Sequence, residues 1–286
     1  MYLLAIETTG AYASVALLQA EETARILSVI HGNGRFSHLQ NLTPQIDQIL
    51  KDNQLQIGDV DVIAVSHGPG SFTGIRIGVA TARALGQILG TPCVAVSSLE
   101  ALALRALQTE EGPLRAPQTE GDMLQTEVAP QSGSTDGSSK LLLCPALDAR
   151  RKQVYGAAYE IEDGRLSCRI PERSILMVDF LQKLEEIADQ YDRILFLGDG
   201  IDTCGELIRQ WALERREAGT GKAADGNDPA PQVMYAPEEI RYQDAAAVAL
   251  RGLQLWNDGK ACDYIELQPE YLRMAEAEKK LKERKA

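Results

Sequence analysis

Basic residues, cysteine and histidine are all scarce in this sequence, and each scarcity removes a class of function. Lysine and arginine number 29 against 41 aspartates and glutamates, a formal net charge of −12. A chain that grips a nucleic-acid backbone by itself gathers several cations on one face, so none is expected to bind here without a partner. Arg150-Arg151-Lys152 is a tight basic run, but three successive charges read as a solvated turn. The five cysteines, at 93, 144, 168, 204 and 262, are odd in number and scattered without a CxxC pair. That argues against a disulfide framework or a zinc site and for a reducing compartment. Only His31, His38 and His67 are available as bases or imidazole ligands, and no two stand four apart, the spacing that places a ligand pair on one helix face. No apolar run approaches the ~18 residues of a membrane span, and the first six residues lack the basic start of a signal peptide. The expectation is a cytoplasmic protein with no membrane contact, no metal and no cofactor.

What is present is an ordinary globular composition, 44% hydrophobic and 24% charged over 286 residues, enough for one large or two modest domains. The most informative stretch begins Gly-Pro-Gly-Ser-Phe-Thr-Gly at 68–74 and continues as a helix that is apolar or small almost all round. Gly74, Gly78, Ala82, Gly86 and Gly90 recur every fourth residue, which aligns them on one stripe. A helix apolar on more than one side is buried on more than one side, so it is a core helix or an interface helix. The glycine loop ahead of it is a fair anion site. It is not a Walker loop, because no lysine follows the glycines.

Strands are expected at 2–7, 13–18, 26–30 and 60–66, and a helix from Ser37, with Ser37 and Gln40 spaced as a capping box. Pro44 inside that helix predicts a kink, or a fresh start capped by Thr43. A strand at 93–96 and a helix at 98–107 follow the glycine-loop helix. Residues 108–140 are polar and free of aromatics, which marks an insertion or linker. Order resumes at 141–148, with strands at 153–159 and 193–197 and helices at 178–190, from near 202, and at 244–256. A polar loop is expected at 219–231 and a frayed tail after 273. The expected organisation is an α/β lobe at 1–107, the insertion at 108–140, and a second α/β lobe at 141–286.

The run Gly-Pro-Gly-Ser-Phe-Thr-Gly-Ile-Arg-Ile-Gly at 68–78 resembles that of the TsaB family, subunits of the bacterial complex that forms threonylcarbamoyladenosine on tRNA. Shorter matches follow in order: Leu4-Ala5-Ile6-Glu7-Thr8, His38 six residues before Pro44, and Val96-Ser97-Ser98-Leu99-Glu100-Ala101-Leu102. Leu147-Asp148-Ala149-Arg150 with Val154-Tyr155, Gly198-Asp199-Gly200, and 269–273 ending Tyr-Leu-Arg complete them. The resemblance implies an α/β actin/hexokinase-like fold of two related lobes. It also implies a role without a reaction: pairing with the TsaD-like catalytic subunit, assisting a TsaE-like ATPase, and meeting tRNA only within the complex.

In that family two helices of the first lobe form the pairing surface. Carried over, the interface comprises His38, Leu39, Leu42, Ile46, Phe72, Gly74, Arg76, Gly78, Thr81, Ala82 and Leu85. An arginine at Gly78 or Ala82 is then expected to abolish pairing and leave a folded monomer. Two other readings stay open. One is an ATP-dependent phosphotransferase of the same fold, although ATP-using members carry aspartate on the first strand where this chain has Glu7. The other is a homodimer through the same helices. A serine nucleophile is unsupported, since Ser71 lies in Gly-Pro-Gly-Ser-Phe and not in Gly-x-Ser-x-Gly.

Overall fold

The computed structural model describes residues 1–32, 38–106, 140–162, 164–218 and 231–273, the side chains of 38–40 and 218 excepted. The expected capping box, most of the insertion, the loop at 219–231 and the tail after 273 lie outside the described residues. The first elements are β1 (Tyr2–Glu7), β2 (Ser14–Ala20), β3 (Ala24–His31), α1 (His38–Asp52), β4 (Val62–Gly68), α2 (Phe72–Leu89), β5 (Cys93–Ser97) and α3 (Ser98–Arg105). Then come β6 (Leu141–Asp148), β7 (Gln153–Glu162), β8 (Arg165–Leu176), α4 (Met177–Glu185), β9 (Arg193–Leu197), α5 (Gly200–Ala218), β10 (Gln232–Tyr235), α6 (Glu238–Arg241) and α7 (Ala245–Asn257).

The strands form two five-stranded sheets, ordered β3-β2-β1-β4-β5 and β10-β9-β6-β7-β8. In the first, β1 pairs antiparallel with β2 and β2 with β3, while β1–β4 and β4–β5 are parallel. The second repeats this orientation: β6–β7 and β7–β8 are antiparallel, and β6–β9 and β9–β10 are parallel. Five strands in one topology, twice, is the two-lobe pattern the sequence led us to expect.

In the first sheet, alternate residues of each strand serve opposite faces. Leu4 and Ile6 of β1, Val15 and Leu17 of β2, and Ile63 and Val65 of β4 join Leu42, Ile46 and Ile49 of α1 and Ile75, Val79 and Ala82 of α2 in one buried cluster. On the other face lies α7, whose Gly252 approaches so closely that a Cβ there would stand 2.6 Å from Ala64 Cβ. The alanines of α7 are what allow it to sit that close to a sheet. The second sheet has its own cluster, in which Leu142, Cys144, Ile194 and Phe196 pack with Met177, Phe180, Leu184 and Ile208 of α4 and α5.

Among the described residues, 1–98 and 244–273 form one compact unit, and 99–106, 140–162, 164–218 and 231–243 the other. The sequence grouping at 1–107 and 141–286 divides the chain differently, because α7 and the segment after it return to the first sheet. Two strands escaped the sequence reading. Strand β8 pairs only with β7 and carries Arg165, Arg169, Glu172 and Arg173 around Pro171, which reads locally as a loop. Strand β10 is four residues long. Helix α1 runs through Pro44 without a fresh start at Thr43.

Candidate functional site

Strand β1 ends at Glu7, and the turn after it meets the glycine loop that leaves β4. Glu7, Thr8 and Thr9 are 0%, 0% and 2% exposed. Glu7 Oε1 accepts hydrogen bonds from the Thr9 backbone N–H and, at 2.6 Å, from the Thr9 hydroxyl. Burial pushes the Glu7 carboxyl above the usual carboxylate range, opposed by the hydroxyl and N–H of Thr9. Glu7 Oε2 and Ser66 Oγ are enclosed without hydrogen-bond geometry to any described residue.

Helix α2 seals this turn. Ser71 caps it by accepting from the Gly74 N–H, and the Ser71 N–H donates to the Thr9 carbonyl at 2.9 Å. A Cβ at Gly70 would stand 2.7 Å from the Thr9 carbonyl oxygen, and one at Gly74 would overlap the Thr8 carbonyl. The Thr8 hydroxyl donates to the Gly74 carbonyl at 2.8 Å. The glycine loop therefore spends its closeness, and the Ser71 N–H, on the chain's own first turn, while the Gly74 N–H is taken up by the Ser71 hydroxyl.

The same contacts correct the expected interface. Gly74, Gly78, Ala82 and Gly86 all face inward; a Cβ at Gly78 would overlap Thr8 Oγ1, and one at Gly86 would stand 2.9 Å from Cys93 Sγ. Leu42 and Ile46, at 1% and 5% exposed, lie in the core. These five predicted interface residues, Leu42, Ile46, Gly74, Gly78 and Ala82, are packing residues, because a stripe without side chains is what brings α2 down onto the sheet. Phe72, Thr81 and Leu85 are partly exposed and Arg76 is exposed. The side chains of His38 and Leu39 lie outside the described residues.

The outer face of α2 carries a second stripe that the sequence reading passed over. Arg76, Ala80, Ala84 and Ile88 are exposed and four apart, Ile88 at 79%. They fall two residues from Gly74, Gly78, Ala82 and Gly86, roughly 200° around the helix and so on its far side. Residues 258–273, in which the sequence showed no periodicity, run alongside as a strap. Leu267 anchors the strap in the core, and the Glu270 N–H donates to the His67 carbonyl at 2.8 Å. Tyr271 stacks on Phe72, ring centroids 4.9 Å apart and 13° from parallel, and accepts from Arg76 Nε at 3.0 Å. Between strap and helix lies an open groove of about 450 Å³, lined by Arg76, Ala80, Arg83, Ala84, Tyr264 and Pro269 among others.

Comparison with known proteins places these features. A family profile described as "TsaD: tRNA N6-adenosine threonylcarbamoyltransferase" matches residues 35–128. The tRNA threonylcarbamoyladenosine biosynthesis protein TsaB of Bacillus subtilis is 30% identical over 98% of this chain and 97% of its own length. The chain belongs to the TsaB family. The TsaB of Escherichia coli is 24% identical over 98% of both chains. The structure of YeaZ from Pseudomonas aeruginosa, 23% identical, superposes with a TM-score of 0.64 over 94% of this chain and 99% of its own. The fold is the two-lobed actin/hexokinase-like α/β fold.

In this TsaB-family chain the family-matching Leu147-Asp148-Ala149-Arg150 run forms the end of β6 and its turn. The Asp148 N–H donates to Asp199 Oδ1 and the Arg150 N–H to Asp148 Oδ1, each at 2.7 Å, so backbone donors hold this corner. Burial raises the Asp199 carboxyl, and the Asp148 charge adds to the rise. Arg150, Arg151 and Lys152 are exposed and hold left-handed backbone, with φ of 65°, 57° and 62°. No group of three or more His, Cys, Asp or Glu among the described residues has metal-binding geometry. No described helix is long and apolar enough to cross a membrane.

Proposed function

We propose that this chain is a non-catalytic cytoplasmic subunit for threonylcarbamoyladenosine formation on tRNA, acting by pairing with a TsaD-like transferase. The observation that carries the reading is the closed turn at Glu7. ATP-using relatives of this fold need an accessible first-strand carboxylate for magnesium and free turn amides for phosphate. Here the carboxylate is enclosed, Thr8 and Thr9 are buried, and the helix amino end is pressed against them. An enclosed carboxyl with a raised pKa is a poor ligand for a hard cation, which takes charged oxygens. The phosphotransferase reading is correspondingly disfavoured.

Pairing is assigned to the outer face of α2. Ala80 and Ala84 admit a close helix approach, Ile88 adds apolar area, and Arg76 and Arg83 flank them as partners for carboxylates. A TsaE-like ATPase joins the resulting pair, and a homodimer through the same face forms when the transferase is absent. With a net charge of −12 on this chain, tRNA is held by the partner's surface and meets this subunit only in the assembly.

Reconstitution of the modification with and without this chain tests the reading. Product is expected to depend on its presence, while the isolated chain neither hydrolyses nor tightly binds ATP with magnesium. Undiminished product in its absence, or ATP turnover by the chain alone, overturns the proposal.

A further inference from the structure

The strap is joined to the first sheet through a pair of cysteines. Cys93 opens β5 and Cys262 lies near the start of the strap, and the two stand opposite each other as an antiparallel bridge. The bond pair is reciprocal: the Cys93 N–H donates to the Cys262 carbonyl at 2.9 Å, and the Cys262 N–H to the Cys93 carbonyl at 2.8 Å. Residues paired this way have Cα atoms about 5.5 Å apart and side chains on the same side of the ladder. That separation lies at the centre of the range a disulfide spans. Both thiols are free. Cys93 is buried beneath Gly86, whereas Cys262 is partly exposed and lines an open hollow of about 350 Å³ with Thr91, Asp263, Tyr264 and Glu266.

We propose that Cys93 and Cys262 form a reversible dithiol site that a low-molecular-weight disulfide converts to a cross-strand disulfide, fastening the strap to β5. The Cys262 thiolate attacks one sulfur of the reagent RSSR, expels RS⁻ and leaves a mixed disulfide. Cys93 then gives up its proton and attacks Cys262 Sγ, expelling the second RS⁻. Two protein thiols are oxidised to one disulfide, one RSSR is reduced to two RSH, and the two thiol protons pass to the released thiolates. The order follows exposure, since the reagent reaches Cys262 through the hollow and Cys93 only afterwards from inside. Closing the bond draws the two Cβ atoms together by about 1 Å from an ordinary ladder spacing, so the disulfide is readily reduced again. Tyr264, two residues beyond Cys262, lines both hollows beside α2, so the bond fixes the strap where it borders the groove.

Both thiols are disfavoured as thiolates. Burial and the neighbouring cysteine and Asp263 push Cys93 up to about 11, and burial with Glu266 and Asp263 raises Cys262. The nucleophile is the thiolate, so closure is expected to accelerate about tenfold per pH unit between pH 7 and 9.

The test is to incubate the full chain with oxidised glutathione, alkylate the remaining thiols and map peptides by mass spectrometry, with exposed Cys168 as the internal gauge of reagent activity. The expected result is a linked Cys93–Cys262 peptide that dithiothreitol removes, and in Cys93→Ala a stable mixed disulfide at Cys262. Free thiols at 93 and 262 while Cys168 is modified, or wild-type protein halted at a mixed disulfide on Cys262, overturn the proposal. The wild-type map decides the matter even if the variant fails to fold.

Discussion

Gly74 and Thr8, sixty-six residues apart, are in backbone contact: the Thr8 carbonyl occupies the place a Cβ at 74 would take, and the Thr8 hydroxyl donates to the Gly74 carbonyl. One turn further on, Gly78 meets the same threonine. Alanine at either position forces α2 away from β1, and overpacking of this kind costs about 1–3 kcal/mol, or more where backbone blocks the methyl. Gly74→Ala and Gly78→Ala are both expected to lower the urea midpoint clearly. An unchanged midpoint for both would mean that α2 does not sit as described.

Substitutions on the opposite side of α2 are expected to behave in the reverse way. Ala80→Arg and Ala84→Arg lie on solvent, where stability changes are usually within about 0.5 kcal/mol. Each is expected to leave the melting curve alone and to abolish co-purification with the TsaD-like subunit. Recovery of that subunit at full stoichiometry with Ala84→Arg would remove α2 from the pairing surface.

These two sets show what the sequence made legible. The four-residue recurrence from Gly74 correctly announced a close approach, but periodicity cannot say which surface approaches, and Thr8 is too distant in sequence to be paired with it by inspection. The arginine at Gly78 or Ala82 first expected to separate pairing from folding is instead expected to unfold the chain. The stripe at Ala80, Ala84 and Ile88 was equally readable, yet alanine at a surface and alanine in a core look alike in one dimension. The α/β character, the glycine loop running into α2, and α7 from Asp244 were visible as patterns. The strap was not, because an extended segment held by Leu267, Tyr271 and one cysteine pair has no period to detect.

Glu7 provides a pH test. Its carboxyl is raised in the folded chain above the ordinary 4.5, so the folded state holds this proton more tightly than the unfolded state. The contribution of the neutral acid is complete below pH 4.5 and is lost as pH rises through the folded value. Glu7→Gln keeps the neutral shape, and its Oε1 still accepts from Thr9. Relative to wild type, the variant is therefore expected to gain stability as pH rises from 4.5 towards 7.5, read from urea unfolding at several pH values. A difference that stays flat or falls over that interval would show the carboxyl to be ionised without cost.

Tyr271 holds the strap by its ring and its hydroxyl. Tyr271→Phe keeps the stack on Phe72 and loses the bond from Arg76, whereas Tyr271→Ala loses both. An aromatic pair contributes about 0.5–1.5 kcal/mol beyond its buried area, so alanine is expected to destabilise by about 1 kcal/mol more than phenylalanine. Hydrogen exchange at 264–271 is expected to rise in the same order, with α4 and α5 unaffected. Equal exchange in all three proteins would place the strap's anchorage elsewhere.

The matching strand orders carry a consequence for how the chain tolerates change. In the second sheet, the glycines that follow β9 abut the end of β6 as those that follow β4 abut the end of β1: a Cβ at Gly198 would overlap the Ala146 carbonyl, and one at Gly200 would stand 2.6 Å from it. The same constraint is thus inscribed at two distant places in one gene. A saturation scan would find two valleys of intolerance, each at the turn between a strand and the helix that follows it. Only the first is bordered by the outward stripe of α2, so the halves are interchangeable in architecture and unequal in what they expose to selection.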